Sequence, residues 1–120
     1  LPGSTFWNDW TKYPFSATNW NMRPLGIQVV VLAYRTGGSW NETAYSNPDL
    51  DALIDKAVTI GSDTDRKPVM KEIQQILQDS GIIIQPFWHN LYTHSVAAVK
   101  NHGMHPMFEI DLHRVWLDEA

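Results

Sequence analysis

The chain has 120 residues and a formal net charge of −4, a length at which a single domain can bury most of its core. Its nine Lys and Arg residues are dispersed, which argues against a nucleic-acid surface because such a surface concentrates positive charge on one face. The absence of Cys excludes disulfides and thiolate chemistry, and no apolar run approaches the roughly 20 residues that cross a bilayer.

The first 14 residues are rich in aromatic side chains. Phe6, Trp7, Trp10 and Tyr13 lie among small and polar residues, which favours a short helical turn or loop with aromatic anchors. The chain holds six Trp, four Tyr and four Phe, more than a core of this size requires. Some of these rings are therefore expected to line a pocket or an interface, and packing of a small core is the alternative.

The next segments are predicted as a strand and then a helix. Residues 15–20 have the composition of a short strand. The residue before a proline avoids the helical region, so Pro24 is expected to be the first helical residue of a segment 24–35. The β-branched run 29–31 leaves a strand as the alternative for this segment.

The most informative stretch is an aromatic, amide-rich loop that runs into a patterned helix over residues 47–60. Asn47 supplies an N-cap acceptor, and Pro48 follows at the first helical position, where its missing N–H costs nothing. Gly61 ends the helix. Helical spacing places one apolar stripe against the core, formed by Leu50, Leu53, Ile54, Ala57 and Val58, and turns Asp49, Asp51, Asp55 and Lys56 towards water.

A second helix is predicted to reach about Asp79, so that two antiparallel helices are joined by a tight turn. Residues 62–65 offer several N-caps, and Pro68 fits the first turn if the helix begins at Thr64 or later. The predicted buried stripe is Val69, Ile73, Ile76 and Leu77.

The rest of the chain is predicted as strands. Segments 82–84, 87–88 and 91–99 are rich in β-branched and aromatic residues, and Pro86 marks an edge or a bend. Residues 107–117 alternate in the manner of a strand, with Phe108, Ile110 and Leu112 on one face.

No motif in the sequence predicts catalysis, a cofactor or a metal. The chain has no nucleophile elbow, phosphate-binding Gly loop or Rossmann fingerprint. Paired carboxylates could serve glycoside hydrolysis, but the acidic residues of the first predicted helix suit its N-terminal dipole. His102 and His105 have the spacing of a chelating loop, yet His89, His94 and His113 show no helical pairing that would complete a site.

Several motifs together carry a resemblance to a known family. They are Trp40-Asn-Glu-Thr-x-Tyr45-Ser-Asn-Pro-Asp-Leu-Asp51-Ala-Leu, then Asp63-x-x-Arg66, Ile73-Gln-Gln-Ile-Leu-Gln-Asp79 and Ile84-Gln-Pro-Phe-Trp88, preceded by the turn at Trp20. Over nearly its whole length the chain resembles the C-terminal portion of the peptide/nickel-type (family 5) extracellular solute-binding proteins of ABC transporters. Complete members are several times longer, and the sequence lacks an initiating Met and a signal segment, so we expect a fragment or a processed product.

The resemblance implies an α/β fold, namely the C-terminal fragment of a bilobal type II periplasmic-binding-protein fold with a helix pair packed on a small mixed sheet. Residues 1–96 would belong to the second lobe, and 97–120 would return to the first. The implied function is capture of a small solute in the cleft between the lobes, in the periplasm or at the cell surface, for delivery to a membrane permease. If the final strands lack their neighbours, exposed apolar edges are expected to promote self-association.

The turn at Trp20 bears on ligand charge. In peptide-binding relatives a Gly-Trp-x-x-Asp segment places its Trp on the pocket wall and its Asp on the ligand amino group, whereas Arg23 stands at the Asp position here. A guanidinium pairs with carboxylate or phosphate and repels ammonium, so an anionic or neutral solute is expected. The alternative is a helix-start Arg23 paired with a nearby acid. The predicted ligand-binding residues are Trp20, Asn21, Arg23, Trp40 and Asn41, with Trp7 and Trp10 behind them.

Two other classes of function stay open from the sequence. One is a hydrolase domain that uses Asp or Glu with His, and the other is a carbohydrate-binding module, since aromatic rings and amides also suit sugars. The two predicted helices disfavour the latter. Saturable ligand binding without product formation would distinguish a binding protein from an enzyme.

Overall fold

The computed structural model describes residues 1–105, 107 and 109–118, and their contacts fall into two units. The first unit comprises Leu1–Asn19 and Leu25–Ile84, and the second comprises Trp20–Pro24 and the described residues from Gln85 onward. The first unit contains α1 (Gly3–Asp9), a 3-10 helix (Trp10–Lys12), α2 (Gly26–Ala33), α3 (Pro48–Thr59) and α4 (Asp63–Ser80). The second contains β1 (Val99–Lys100), a 3-10 helix (Leu112–Arg114) and β2 (Trp116–Leu117).

The N-terminal segment of the first unit forms the predicted helical turns, α1 and the 3-10 helix after it. The strand predicted for residues 15–20 is wrong, since no residue of this segment is in a strand. Ser16 and Thr18 instead donate their hydroxyl hydrogen bonds to the carboxylate of Glu42, at 3.2 Å and 2.8 Å. Side-chain bonds to a loop therefore replace the backbone ladder that a strand requires.

Residues 26–33 form a helix, which decides between the two predictions for this segment. The helix α2 begins at Gly26, two residues after the predicted start at Pro24, because Leu25 keeps an extended backbone (φ −124°, ψ 130°) as the N-cap residue. The Leu25 N–H donates to Oε1 of Gln28 at 3.1 Å, which satisfies one N–H at the helix start. The buried residues of α2 are Ile27, Val30 and Ala33.

The predicted pair of helices is confirmed as α3 and α4, which pack against each other and are joined by three residues. The side chain of Asn47 accepts from the N–H groups of Asp49 (2.9 Å) and Leu50 (3.3 Å), as expected of an N-cap. Val58 is 52% exposed, so its predicted burial is wrong. At 100° per residue it lies about 80° from Leu50, at the edge of the apolar stripe. The buried apolar residues of the pair are Leu50, Ile54, Ala57, Val69, Ile73 and Leu77.

Helix α4 begins at Asp63 with Ser62, the first of the predicted N-cap candidates, as its N-cap, one residue before the start that would best suit Pro68. Pro68 is consequently the sixth helical residue rather than a first-turn residue, and it has no N–H to donate to the carbonyl of Thr64. The helix ends at Gly81, which has φ +63° and ψ 16°. This left-handed conformation costs a residue without a Cβ little, which explains the stop.

The second unit contains a two-stranded antiparallel sheet in which Val99 pairs with Leu117 and Lys100 with Trp116. Among the described residues, the longer strands predicted for segments 82–84, 87–88, 91–99 and 107–117 are wrong apart from these residues. A strand requires a neighbour that pairs with its backbone, and among the residues that the structure describes only β1 and β2 provide one for each other. Ile110 and Leu112 are exposed, and Phe108 of the same predicted face lies outside the described residues.

No helix among the described residues is long and apolar enough to cross a membrane. The helix pair and the two-stranded sheet belong to different units. The bilobal fold and the lobe boundary after residue 96 stay predictions.

Candidate functional site

The loop between α2 and α3, residues 34–47, is organised by the side chain of Asn41. Its Nδ2 donates to the carbonyl oxygens of Arg35 (3.1 Å) and Tyr45 (2.8 Å). Its Oδ1 accepts from the Thr43 hydroxyl (2.9 Å) and the Tyr45 N–H (3.3 Å). Asn41 is 9% exposed. Both N–H bonds of this amide are therefore used inside the α2–α3 loop.

Helix α3 also fixes the start of the α2–α3 loop. The N–H of Thr36 donates to a carboxylate oxygen of Asp51 at 3.0 Å, and Arg35 forms an ion pair with Asp55 at 2.6 Å. Hydrogen bonds from the Thr36 hydroxyl and N–H lower the pKa of Asp51 below its usual value. The exposed ion pair contributes little by itself, but the bonds together tie the end of α2 to the first turns of α3.

A pocket of about 310 Å³ lies in the α2–α3 loop. Gly37 (φ +71°) and Ala44 (φ +52°) adopt the left-handed conformation here, which is uncommon for a residue that has a Cβ. Trp40, one of the predicted ligand-binding residues, lies in the same loop and is 43% exposed. The structure thus places two predicted ligand-binding residues, Trp40 and Asn41, in the loop that contains this pocket. The pocket is lined by Thr36, Gly37, Gly38, Asn41, Ala44, Tyr45 and Ser46.

Tyr34 and Glu42 lie in the same loop, and neither was among the predicted ligand-binding residues. The Glu42 carboxylate accepts the hydroxyl bonds of Ser16 and Thr18, which attaches the segment after the first 3-10 helix to the loop. Tyr34 is buried, and this burial, with a smaller effect from the Glu42 charge, raises its pKa to about 12. Its phenol is consequently neutral at physiological pH. Tyr34 follows Val30 by four residues, which is the spacing of one helix face, and this was the signal in the sequence for the burial of Tyr34.

Trp7 and Trp10, also predicted ligand-binding residues, are brought together near the N-terminus. Their ring centroids are 5.7 Å apart with an interplanar angle of 67°. Phe6 contacts Trp7 edge to face (4.9 Å) and stacks with Tyr13 (6.2 Å). Such pairs stabilise a cluster through the quadrupoles of the rings. Trp7 is 58% exposed, so the cluster presents an aromatic face at the surface of the first unit.

The remaining predicted ligand-binding residues, Trp20, Asn21 and Arg23, belong to the second unit. The Arg23 guanidinium is half-buried and donates to the carbonyl oxygen of Met22 at 3.4 Å. Arg23 lies three residues before the start of α2, outside the helix. The described ion pairs of its unit join Lys100 to Asp118 and Arg114 to Asp111, and neither includes Arg23.

A second pocket, of about 440 Å³, lies in the second unit and includes His102 and His105. The Nδ1 of His105 accepts from the Met107 N–H at 3.2 Å, and the Nδ1 of His102 lies 3.4 Å from the Thr93 hydroxyl oxygen. Within the described residues, no group of three or more His, Asp or Glu side chains could hold a metal ion. The histidine bonds found here are local.

Comparison with known proteins agrees with a binding function. No protein-family model matches the chain. The chain is similar to the dipeptide-binding protein DppE of Bacillus subtilis (strain 168), with 30% identity over 87 residues, which are 72% of this chain. The match covers 16% of that relative, so this chain spans about a sixth of its length. That relative is a binding protein, as the loop and helix-pair motifs led us to expect.

Proposed function

We propose that this chain is part of the substrate-binding component of an ABC importer of the peptide/oligopeptide type. In this proposal the whole protein captures a small solute in a cleft between two lobes and delivers it to permease subunits in the membrane. It does so in the periplasm or at the cell surface, without chemistry and without a cofactor. The observation that carries the proposal is the similarity to a dipeptide-binding protein over 72% of the chain.

The geometry of the α2–α3 loop supports this function. A binding site holds its ligand with apolar faces and a few fixed polar groups, and the loop carries the half-exposed indole of Trp40 on a backbone fixed by Asn41 and by α3. A wall that is already ordered loses little conformational entropy on binding. Such a loop therefore serves capture and release of an unaltered solute.

The charge of Arg23 supports an anionic or neutral, peptide-like solute over one recognised by its ammonium group. A guanidinium offers five N–H donors in a fork that matches a carboxylate. Within the described residues of its unit, the Arg23 guanidinium has one hydrogen bond, to the Met22 carbonyl oxygen. We propose that its other donors bind an acidic or carbonyl group of the solute.

The test is calorimetric titration of the full-length protein with dialanine and with N-acetyl-dialanine, in which the ammonium is blocked and the carboxylate retained. We expect saturable binding without product formation, and tighter binding of the acetylated peptide. Arg23→Ala should weaken that binding by about tenfold or more, as loss of a charge-assisted hydrogen bond does. The matched control Arg114→Ala, an exposed arginine of the same unit, should leave it unchanged.

The possible results separate the two parts of the proposal. Tight binding of dialanine that Arg23→Ala does not change would refute the role of Arg23 and leave the transport function standing. Absence of saturable binding to any solute of a diverse library would refute the transport function. Release of a cleaved product, detected by mass spectrometry, would indicate the alternative of a hydrolase.

A further inference from the structure

We propose that Asn41 is a positioning residue, whose side-chain amide holds the wall of the α2–α3 loop pocket in place and does not hydrogen-bond the ligand. This inference rests on the binding function proposed above and assigns a task within that site. It differs from a direct ligand contact in a measurable way. A positioning residue changes the loop before any ligand is added, whereas a contact residue changes only the complex.

The hydrogen bonds of Asn41 carry this inference. The side chain joins three separate points of the loop, namely the carbonyl of Arg35 at the end of α2, the hydroxyl of Thr43, and both the N–H and the carbonyl of Tyr45. The Asn41 side chain is at the same time almost wholly buried. Its two N–H donors have partners inside the loop, so they are unavailable to a ligand.

The chemistry of the amide explains why asparagine stands here. The position requires two donors and an acceptor that receives two bonds, all within the reach of a short side chain. A carboxylate accepts but cannot donate, and would face the carbonyl oxygens of Arg35 and Tyr45. Alanine supplies neither function. Among residues of this size, only asparagine makes all four bonds.

Backbone hydrogen bonds add to the order of the same loop. The backbone N–H of Asn41 donates to the carbonyl of Gly38 and the backbone N–H of Glu42 to that of Trp40, each at 3.0 Å, so the backbone that carries the indole is a closed turn. Ala44, in its unfavourable left-handed conformation, lies directly before Tyr45, whose backbone Asn41 binds twice. Loss of the side-chain amide leaves the two turn bonds in place, but it should release the backbone at Tyr45 and change the shape of the pocket.

The test compares ligand-free loop order with ligand affinity in the full-length protein. Loop order is measured by hydrogen exchange at the Tyr45 amide, and affinity by titration with N-acetyl-dialanine. For Asn41→Ala we expect faster exchange at Tyr45 without ligand, by less than full loss of protection because the Thr43 hydroxyl remains a second acceptor at 3.3 Å, and a dissociation constant raised by about tenfold or more. The matched control Ser39→Ala, an exposed residue of the same loop, should change neither quantity.

Asn41→Asp provides a second variant whose effect depends on pH. Protonation of the new carboxyl restores one donor, so lowering the pH from 8 to about 5 should slow Tyr45 exchange towards the wild-type value. Arg35 and Glu42, the ionisable neighbours of Asn41 along the loop, are present in both proteins, so wild type measured at each pH removes their contribution. If the Asp variant shows no greater pH dependence than wild type, the assigned donor role is wrong.

The remaining outcomes are also decisive. A raised dissociation constant with unchanged Tyr45 exchange would make Asn41 a direct ligand contact and overturn the inference. Unchanged values of both quantities in Asn41→Ala would overturn it as well. If wild type binds no solute of the library, the proposed function fails, and the exchange measurements without ligand still decide whether Asn41 positions the loop.

Discussion

Arg66 is a residue of the first unit whose replacement should destabilise the helix pair. It is the fourth residue of α4, and its guanidinium reaches back to the end of α3. Its Nε donates to the carbonyl of Ala57 at 3.3 Å, its Nη2 donates to the carbonyl of Ile60, and its Nη1 pairs with Asp63 at 2.7 Å. These carbonyls lie where a helix leaves its last acceptors unpaired and where a positive charge is favoured.

The expected cost of Arg66→Met follows from these three interactions. Methionine keeps most of the buried stem and removes the charged donors. A hydrogen bond with a charged partner contributes about 1.5–3 kcal/mol, but the carbonyl of Ala57 keeps a second bond from the Ile60 N–H. The carboxylate of Asp63 is mostly exposed, so that ion pair contributes at most about 1 kcal/mol. Burying the guanidinium charge has a cost, and its removal offsets part of the lost hydrogen bonding. The expected net destabilisation is about 2–4 kcal/mol.

Hydrogen exchange at the buried amides of α3 and α4 measures this change locally. A destabilisation of about 2–4 kcal/mol corresponds to exchange roughly 30- to 700-fold faster when opening of the pair limits exchange. The matched control is Lys67→Met, since Lys67 is the exposed neighbour in the same helix and a surface change of this kind stays within about 0.5 kcal/mol. Equal exchange rates in the two variants would refute the assignment of Arg66 as the group that joins the helices.

Two further predictions concern single groups of the first unit. Asn47→Ala should destabilise α3 by about 1 kcal/mol because the acceptor for the Asp49 and Leu50 amides is lost, whereas Asn47→Asp keeps an acceptor and should stay close to wild type. Equal amide exchange in the two variants would contradict the capping role. Burial raises the pKa of Tyr34 to about 12, so the folded state retains a proton that the unfolded chain loses near pH 10. The contribution of Tyr34 to the free energy of unfolding should therefore be fully present below about pH 10 and fall between pH 10 and pH 12. Tyr34→Phe should remove this fall. Tyrosinate absorbance measures the titration, and the prediction would be wrong if every tyrosine titrated near pH 10.

The helix pair could be predicted from the sequence because its signals are local. Asn47 and Pro48 mark the start of α3, and the spacing of Leu50, Ile54 and Ala57 defines its buried face. The strands could not be predicted in the same way. A β-branched segment such as 82–84 becomes a strand only if a second segment pairs with its backbone, and composition carries no information about that partner.

Asn41 and Arg66 show a different limit of sequence reasoning. The residue type of Asn41 suits both a ligand contact and a loop brace, and the difference depends on how the chain folds between Arg35 and Tyr45. Arg66 entered the sequence analysis only as part of a family motif. A signal was present, however, because a positive charge near a helix N-terminus opposes the helix dipole. An arginine at that position indicates a partner outside its own helix.

The order of the α2–α3 loop derives from the helices at its two ends. Thr36 and Arg35 at the end of α2 bind Asp51 and Asp55 of α3, and Asn41 joins the interior of the loop to the same end of α2. Because α3 is in turn joined to α4 by the buried guanidinium of Arg66, the loop is attached to the packed helix pair. The conformational cost of ordering the loop is therefore met on folding, before a ligand arrives. A change that loosens the helix pair should then weaken ligand binding without touching the ligand, and we expect Arg66→Met to do so while Lys67→Met does not.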